Sequence, residues 1–470
     1  MSHRFDPTIL REYDIRGVVG RDLAAEDAWA IGRCFATVLR RAGGRKVAVG
    51  YDGRLSSPML EAALVDGLRA SGADVVRIGL GPTPMLYYAE ASGADVDGAI
   101  QITGSHNPVD HNGFKLVLGG RPFFGPDIAM LGEMAERGDW DDWDEGAGAG
   151  SLEDRPVLDA YVERIAQGIA GIAGLAHLRI GWDAGNGAAG LAVERLTARL
   201  PGEHHLLFTE IDGRFPNHHP DPTEETNLAD LKALIAAKGL DFGVAFDGDG
   251  DRIGVVDSLG RAIWGDQLLG IFAEDLLARL PGATVIGDVK ASGALFDTIR
   301  RCGGQSLMWK SGHSHMKAKM RETGAPLAGE TSAHLFFADD FYGFDDGLYA
   351  AVRLMAATAR LGRSVTALRS AMPEMLNTPE LRFQVDESRK FAAIDEVRAR
   401  LAAAGADFVD IDGVRVTTPE GWWLLRASNT QDVLVARAES GTAEGLERLI
   451  AQVDAQLALS GLRRGPQTGH

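Results

Sequence analysis

The chain predicts an α/β protein, with three similar mixed α/β domains followed by a C-terminal α+β domain. Three observations carry this. One strand–loop–helix pattern recurs three times: a buried strand ends in Asp, a polar loop follows, and an amphipathic helix comes next. That order is the signature of largely parallel or mixed sheets. From residue 373 onward the pattern changes to long helices and short strands. The length of 470 residues exceeds one domain and suits three or four.

The first copy has a strand over Lys46–Asp52, a helix over Met59–Ser71 and a further strand over Asp74–Gly79. The second has a strand over Leu178–Asp183 and a helix from about Ala189 to Leu200. The third has a strand over Ala283–Asp288 and a helix from about Gly293 to Arg301. The Gly/Ala/acid-rich stretch Gly146–Gly150 reads as a linker. The expected domains are residues 1–150, 151–257, 258–372 and 373–470. In the last, Ser388–Ala404 and Ala443–Leu459 are helical patterns, and Phe408–Ile411, Trp422–Leu425 and Val433–Ala436 read as strands. The tail Arg463–His470 is expected to be disordered.

A formal net charge of −18 argues against nucleic acid or an anionic membrane as partner, while leaving room for a local cationic pocket. Only Cys34 and Cys302 occur and there is no CxxC, which fits a reducing cytoplasm. The N-terminus lacks an apolar signal core, and no run reaches transmembrane length. The composition reads as that of a cytoplasmic enzyme.

In Ala99–Pro108, an apolar β-branched segment delivers Ser105 into a Gly/Asn/Pro turn. A serine displayed there can carry a covalent group; an ordinary strand-end turn has the same residues. In Asp247-Gly-Asp-Gly-Asp-Arg252, carboxylates alternate with glycines that let the backbone curl. Asp247, Asp249 and Asp251 would converge on a hard cation such as Mg²⁺, with Arg252 balancing charge or touching substrate; the alternative is an acidic turn. An EF-hand is excluded, because it needs Gly where Arg252 stands and Glu where Ser258 stands.

Gly185-Asn-Gly-Ala-Ala-Gly190 is a literal GxGxxG between strand and helix, open to a dinucleotide site or a plain glycine-rich turn. Arg426-Ala-Ser-Asn-Thr430 offers a guanidinium, two hydroxyls and an amide, a set suited to a phosphate or to an exposed hairpin turn. Gly329-Glu-Thr-Ser-Ala-His334 puts Glu330, Ser332 and His334 in a loop, where they could meet sugar hydroxyls or merely cap a helix. His313 and His315 lack a third ligand pattern for zinc. Arg11, Arg16 and Lys115 add cations, and a short hairpin could bring Lys115 to Ser105.

Together these motifs resemble the α-D-phosphohexomutase family, in its bacterial phosphomannomutase/phosphoglucomutase branch. The resemblance runs from about Leu10 to Leu457 and includes Arg11-Glu-Tyr-Asp-Ile-Arg-Gly17 and Phe215-Pro-Asn-His-His-Pro-Asp-Pro222. It implies four domains around a central active-site cleft, each donating a loop. It implies a phosphorylated Ser105, one Mg²⁺ held by Asp247, Asp249, Asp251 and the Ser105 phosphate, and a hexose 1,6-bisphosphate as activator and intermediate. Glu330, Ser332 and His334 would bind sugar hydroxyls; Arg426, Ser428, Asn429 and Thr430 would grip the non-reacting phosphate. Lys115 and His313 match proton-transfer positions. Tyr13, Arg16, Arg252 and Lys290 match or neighbour cationic and substrate contacts.

The implied activity interconverts hexose 1-phosphate and hexose 6-phosphate, with no obligate protein partner. As the base, Lys115 is expected to have a depressed pKa. Family members commonly carry Met and Gly where Thr331 and Ala333 stand, and a small or acidic residue plus proline where Gln431-Asp432 stands. Phosphoglucosamine mutase, a metal-dependent sugar-phosphate phosphatase and a dinucleotide oxidoreductase are the alternatives.

Overall fold

The computed structural model describes residues 2–93, 95–142, 149–428 and 432–465. Four sheets divide the chain. The first has the strand order Ile15–Val18, His111–Leu118, Gly98–Ile102, Lys46–Tyr51, Asp74–Leu80, Leu152–Asp154, with Arg121–Phe123 beside His111–Leu118. Lys46–Tyr51 pairs in parallel with both neighbours, whereas Gly98–Ile102 meets His111–Leu118 antiparallel, so the sheet is mixed. The second runs Ala262–Ile263, Ile253–Asp257, Phe242–Phe246, Arg179–Asp183, Glu203–Leu207. The third runs Gln305–Trp309, Thr284–Asp288, Leu327–Gly329, Leu335–Phe337. In the fourth, Leu376–Asn377 and Leu381–Gln384 both pair with Val433–Ser440, followed by Gly421–Ala427, Val414–Thr418 and Phe408–Val409; every pairing is antiparallel.

The strand-and-helix repeats lie where the apolar pattern puts them. Ser292 caps the helix Gly293–Arg301 by accepting from Ala294 N, and Arg300 and Arg301 close it where cations suit the helix dipole. Thr442 does the same for Ala443–Leu459 by accepting from Gly445 N. The sheets run past the expected divisions at 150 and 257. Leu152–Asp154 joins the first sheet beside Asp74–Leu80, and Ala262–Ile263 joins the second beside Ile253–Asp257. Both are short edge strands, and Leu152–Asp154 is fully exposed, so no apolar alternation marks it. The expected linker falls mostly on residues 143–148, outside the described residues, as do residues 466–470 of the tail.

One large core joins part of the first domain to the second and third, through residues such as Tyr87, Trp182, Phe272 and Tyr349. A second fills the other face of the first sheet. The fourth domain has a core of its own, built around Trp423, Leu434 and Leu449. It meets the third domain through a small cluster of Val289, Trp422 and Leu424. Arg415 Nη1 donates to the Val289 and Ala291 carbonyls at 2.6 and 2.7 Å, and Glu439 Oε1 accepts from Gly293 N at 2.9 Å.

Asp346 ties the second domain to the third. It caps the helix Gly347–Leu361 by accepting from Tyr349 N, and it accepts from Tyr161 Oη at 3.0 Å. Burial pushes its carboxyl up to about 7. Between the ordinary carboxylate range and that value, the folded state holds a proton the unfolded chain releases, so stability falls as pH rises through that window. Asp346→Asn removes this charge while keeping the cap. The variant is expected to melt above the wild type by a clearly larger margin at pH 8.5 than at pH 5, read as thermal midpoints at the two pH values.

Candidate active site

Strand-end aspartates brace the loops of the site. Asp52 follows Lys46–Tyr51 and accepts from Thr103 Oγ1 at 2.8 Å and Gly104 N at 3.1 Å. Asp288 ends Thr284–Asp288 and accepts from Thr331 Oγ1 at 2.6 Å and Ser311 Oγ at 2.9 Å. These bonds hold the turn after Gly98–Ile102 and the loop after Leu327–Gly329 from beneath.

Ser105 sits in that first turn with φ +48°, in the left-handed region, and its hydroxyl is buried. Its N–H donates to Thr103 Oγ1 at 2.8 Å, and its Oγ donates to Asp247 Oδ2 at 2.9 Å. Asp247 begins the turn between Phe242–Phe246 and Ile253–Asp257, so the serine loop of one domain meets the acidic loop of the next. Gly248 makes the approach possible, because a Cβ there would lie 2.4 Å from the Ser105 carbonyl oxygen.

Asp247, Asp249 and Asp251 are all 0% exposed, and each offers a carboxylate oxygen within 4.8 Å of the others. Lys115 Nζ bonds Asp249 Oδ2 at 2.7 Å and also Asp251 Oδ2, and Thr83 Oγ1 donates to Asp249. Burial and the two other carboxylates hold Asp247 well above the usual range. Burial raises Asp249 and Asp251 too, but the Lys115 ammonium outweighs it and both stay low.

The sequence led to a depressed pKa for Lys115, and the structure overturns that. Burial lowers it, yet Asp249, Asp251 and Asp247 together lift it far above its ordinary value, so the ammonium keeps its proton. His313, the first residue of the helix His313–Thr323, behaves oppositely: burial, with Lys317 and Lys115 near, keeps its imidazole neutral.

In the loop of the third domain, His334 Nδ1 lies 3.1 Å from Glu330 Oε2 and 3.2 Å from Ser332 Oγ, and Nε2 lies 3.4 Å from Asp251 Oδ1. Burial opposes charge on His334, but Asp251 prevails and pushes it up to about 9. Ala333 holds φ +68°, a conformation that costs an L-residue about 1–2 kcal/mol. Ala333→Gly is expected to stabilise the protein by up to ~1 kcal/mol, after glycine's own chain entropy is deducted. A rise in the denaturation midpoint checks this.

Arg252 N–H donates to Asp247 Oδ1 at 3.1 Å. Arg16 pairs with Asp14 and donates from Nη1 to Asn107 Oδ1 at 2.9 Å. Tyr13 Oη donates to the Ser311 carbonyl at 3.1 Å. Lys290 Nζ reaches across to Glu380 Oε1 of the fourth domain at 3.0 Å. Arg426, near the end of Gly421–Ala427, places Nε 3.0 Å from Asp412 Oδ2. Asn429 and Thr430 lie outside the described residues.

A single cleft of about 2380 Å³ collects these loops. Ser105, Lys115, His313, Arg16, Tyr13, Arg252, Lys290, Glu330, Ser332, His334, Arg426 and Ser428 all line it, with the three aspartates buried behind Ser105. Sequence reasoning missed Arg54 and Thr83. Arg54 stands two residues past a strand-end Asp, a position with a visible signal; its partners, more than fifty residues away, have none.

The aspartates form an Asp-rich site able to bind a metal. Asp249 Oδ1 and Asp251 Oδ1 are buried without a hydrogen-bond partner. An all-carboxylate donor set with spare, dehydrated oxygens fits a hard divalent cation. The GxGxxG glycines serve backbone packing instead. Gly185 has φ +56°, and a Cβ on Gly190 would lie 1.9 Å from the Thr209 carbonyl oxygen. Asp183, at the strand end beside them, is taken by Gly185 N and His218. Among the described residues, no helix is long and apolar enough to cross a membrane.

The chain matches four domain families described as phosphoglucomutase/phosphomannomutase: α/β/α domains I, II and III over residues 7–141, 159–260 and 264–375, and the C-terminal domain over 380–456. Fold and cleft together define the phosphohexomutase class of isomerases. A phosphomannomutase/phosphoglucomutase of Pseudomonas aeruginosa is 44% identical over 443 residues, 94% of each chain. A phosphoglucomutase of Neisseria gonorrhoeae is 41% identical, covering 94% of this chain and 95% of its own. The crystal structure of a phosphoglucomutase/phosphomannomutase family protein from Burkholderia thailandensis superposes with a TM-score of 0.90 at 45% identity, over 97% of this chain and 98% of that one. The chain belongs to the phosphoglucomutase/phosphomannomutase family.

Proposed function

We propose that this enzyme interconverts hexose 1-phosphates and hexose 6-phosphates, of both glucose and mannose, through a phosphoserine at Ser105 and a hexose 1,6-bisphosphate. The observation that carries the reading is Ser105 itself: a left-handed serine 2.9 Å from the first of three buried carboxylates, on the floor of a cation-lined cleft.

In this reading, a free sugar hydroxyl attacks the phosphorus on Ser105. The bond from phosphorus to Ser105 Oγ breaks as the new ester forms; the sugar hydroxyl's proton passes to the neutral His313, and the departing Ser105 oxygen takes up a proton from water, which restores the free serine hydroxyl. The bisphosphate turns over in the cleft, and its other phosphoryl group returns to Ser105 by the reverse steps. Such transfers depend mainly on positioning and charge neutralisation. Lys115, bonded to Asp249 and Asp251, supplies positive charge beside the reacting serine. Arg16, Tyr13, Arg252 and Lys290 contact substrate, and Glu330, Ser332 and His334 hold sugar hydroxyls. Arg426 and Ser428, continuing into Asn429 and Thr430, grip the phosphate that is not reacting.

Asp247, Asp249 and Asp251, with the Ser105 phosphate, would hold Mg²⁺. Bound there, it supplies positive charge to the phosphoryl oxygens. The two cysteines are unpaired, in keeping with a reducing cytoplasm. The net charge gives no footprint for nucleic acid or membrane, and no obligate protein partner is called for.

Phosphorus NMR of glucose 1-phosphate and mannose 1-phosphate, with Mg²⁺ and a trace of hexose bisphosphate, tests the reading. A growing 6-phosphate signal from both sugars is expected. Inorganic phosphate as the product would overturn it in favour of a phosphatase.

A further inference from the structure

We infer that Phe215, on a loop of the second domain, is a positioning residue for the reacting serine of the first, acting through Arg54. The inference rests on the phosphoserine reading of Ser105 given above.

The argument begins with Arg54, whose side chain is 1% exposed. Its guanidinium spends both terminal nitrogens on the backbone of the serine turn. Nη2 donates to the Ser105 carbonyl at 2.7 Å and to the Asn107 carbonyl at 2.6 Å. Nη1 donates to the Pro108 carbonyl at 2.6 Å and to the His111 carbonyl at 2.9 Å. Its Nε lies 3.3 Å from Asp52 Oδ2, the carboxylate that also holds Thr103 and Gly104. One planar fork thus gathers four carbonyls of the serine turn, the Ser105 contact fully buried and the other three partly so. The turn is built around it: a Cβ on Gly104 would lie 2.4 Å from the guanidinium carbon.

A guanidinium bonded edge-on to a turn still has an open face. Phe215 covers it, with its ring centroid 5.3 Å from the Arg54 guanidinium carbon, within the range of a cation–π contact. Phe215 is held at φ +49°, which an aromatic residue seldom adopts. Its loop is keyed to the first domain by close backbone approach. A Cβ on Gly213 would lie 2.5 Å from the Gly53 carbonyl oxygen, and one on Gly53 would lie 2.3 Å from Ile211. The same stretch continues to His219 and Asp221, which line the cleft. So the second domain touches the serine turn from two sides, at Gly248 against the Ser105 carbonyl and at Phe215 against Arg54. Phe215 never meets substrate; it fixes the plane of Arg54, which fixes the carbonyls, which fix the direction of Ser105 Oγ.

The test uses the full-length, Mg²⁺-supplied enzyme charged with hexose 1,6-bisphosphate. Phe215→Ala is expected to lower kcat about tenfold with KM within twofold, because misplacing a reacting atom weakens the transition state more than the substrate complex. The charged variant should also lose its Ser105 phosphoryl group to water several-fold faster than the wild type, read by phosphorus NMR. Phe215→Tyr keeps the ring face and should restore both values to within twofold. It serves as the folded control if Phe215→Ala melts early. Wild-type kcat and phosphoserine lifetime in Phe215→Ala would overturn the positioning role alone, as would failure of Phe215→Tyr to rescue. A wild-type enzyme that never acquires a phosphoryl group would overturn the phosphoserine reading, and the positioning role with it.

Discussion

Ser105→Ala is expected to abolish turnover, by at least ~10⁴-fold, while leaving the fold intact. The hydroxyl is the group that carries the phosphoryl between substrates, and no neighbouring side chain can take its place at that point. His106 Nδ1 is 3.2 Å from Ser105 Oγ, but it is Oγ and not that nitrogen that bonds Asp247 at 2.9 Å, so a group carried on His106 would be displaced from the acidic loop. Alanine tolerates φ +48° about as well as serine does, and the Arg54 bonds are to backbone, so the turn stays in place. Steady-state rates with glucose 1-phosphate, together with an unchanged thermal midpoint, check the prediction. Turnover within tenfold of wild type would end the covalent scheme.

Lys115→Met is expected to have the next largest effect, on stability as well as rate. In the protein without a bound cation, one ammonium compensates Asp249 and Asp251, both 0% exposed. Removing one partner of a buried ionic cluster leaves the others uncompensated and costs about 3–5 kcal/mol. The variant should therefore melt well below the wild type in a chelator, and recover most of the loss when Mg²⁺ is added, since a divalent cation replaces the missing charge. Turnover should remain depressed with Mg²⁺ present. Equal melting of variant and wild type in the chelator would show that the carboxylates are not held by Lys115.

The elements that could be read from the chain are those whose signals are local. Gly293–Arg301 and Ala443–Leu459 begin and end at the expected residues because a Ser or Thr cap opens each one. The acidic loop was legible because three aspartates at alternate positions have few uses besides a cation. The strand ending in Asp was visible as a repeat, but its purpose was not. Asp52, Asp183 and Asp288 each brace a loop from beneath, and the bracing partners lie up to 52 residues away. Leu152–Asp154 could not be seen because it is an exposed edge with no apolar rhythm. The Lys115 expectation failed for a related reason. Its charge state depends on two carboxylates 134 and 136 residues distant, and a cation-rich cleft was anticipated where a carboxylate pair stands.

The separate core of the last domain has a meaning for cooperativity. The first three domains share apolar packing, so they stand or fall largely together, whereas the fourth has its own interior and a narrow seam of Val289, Trp422 and Leu424. Damage to its interior, at Trp423 or Leu449, would therefore strike the enzyme selectively. The serine, the carboxylates and the sugar loop would persist in a folded body that had lost its hold on the far end of the substrate, and the fault would register as weakened saturation rather than as a missing protein.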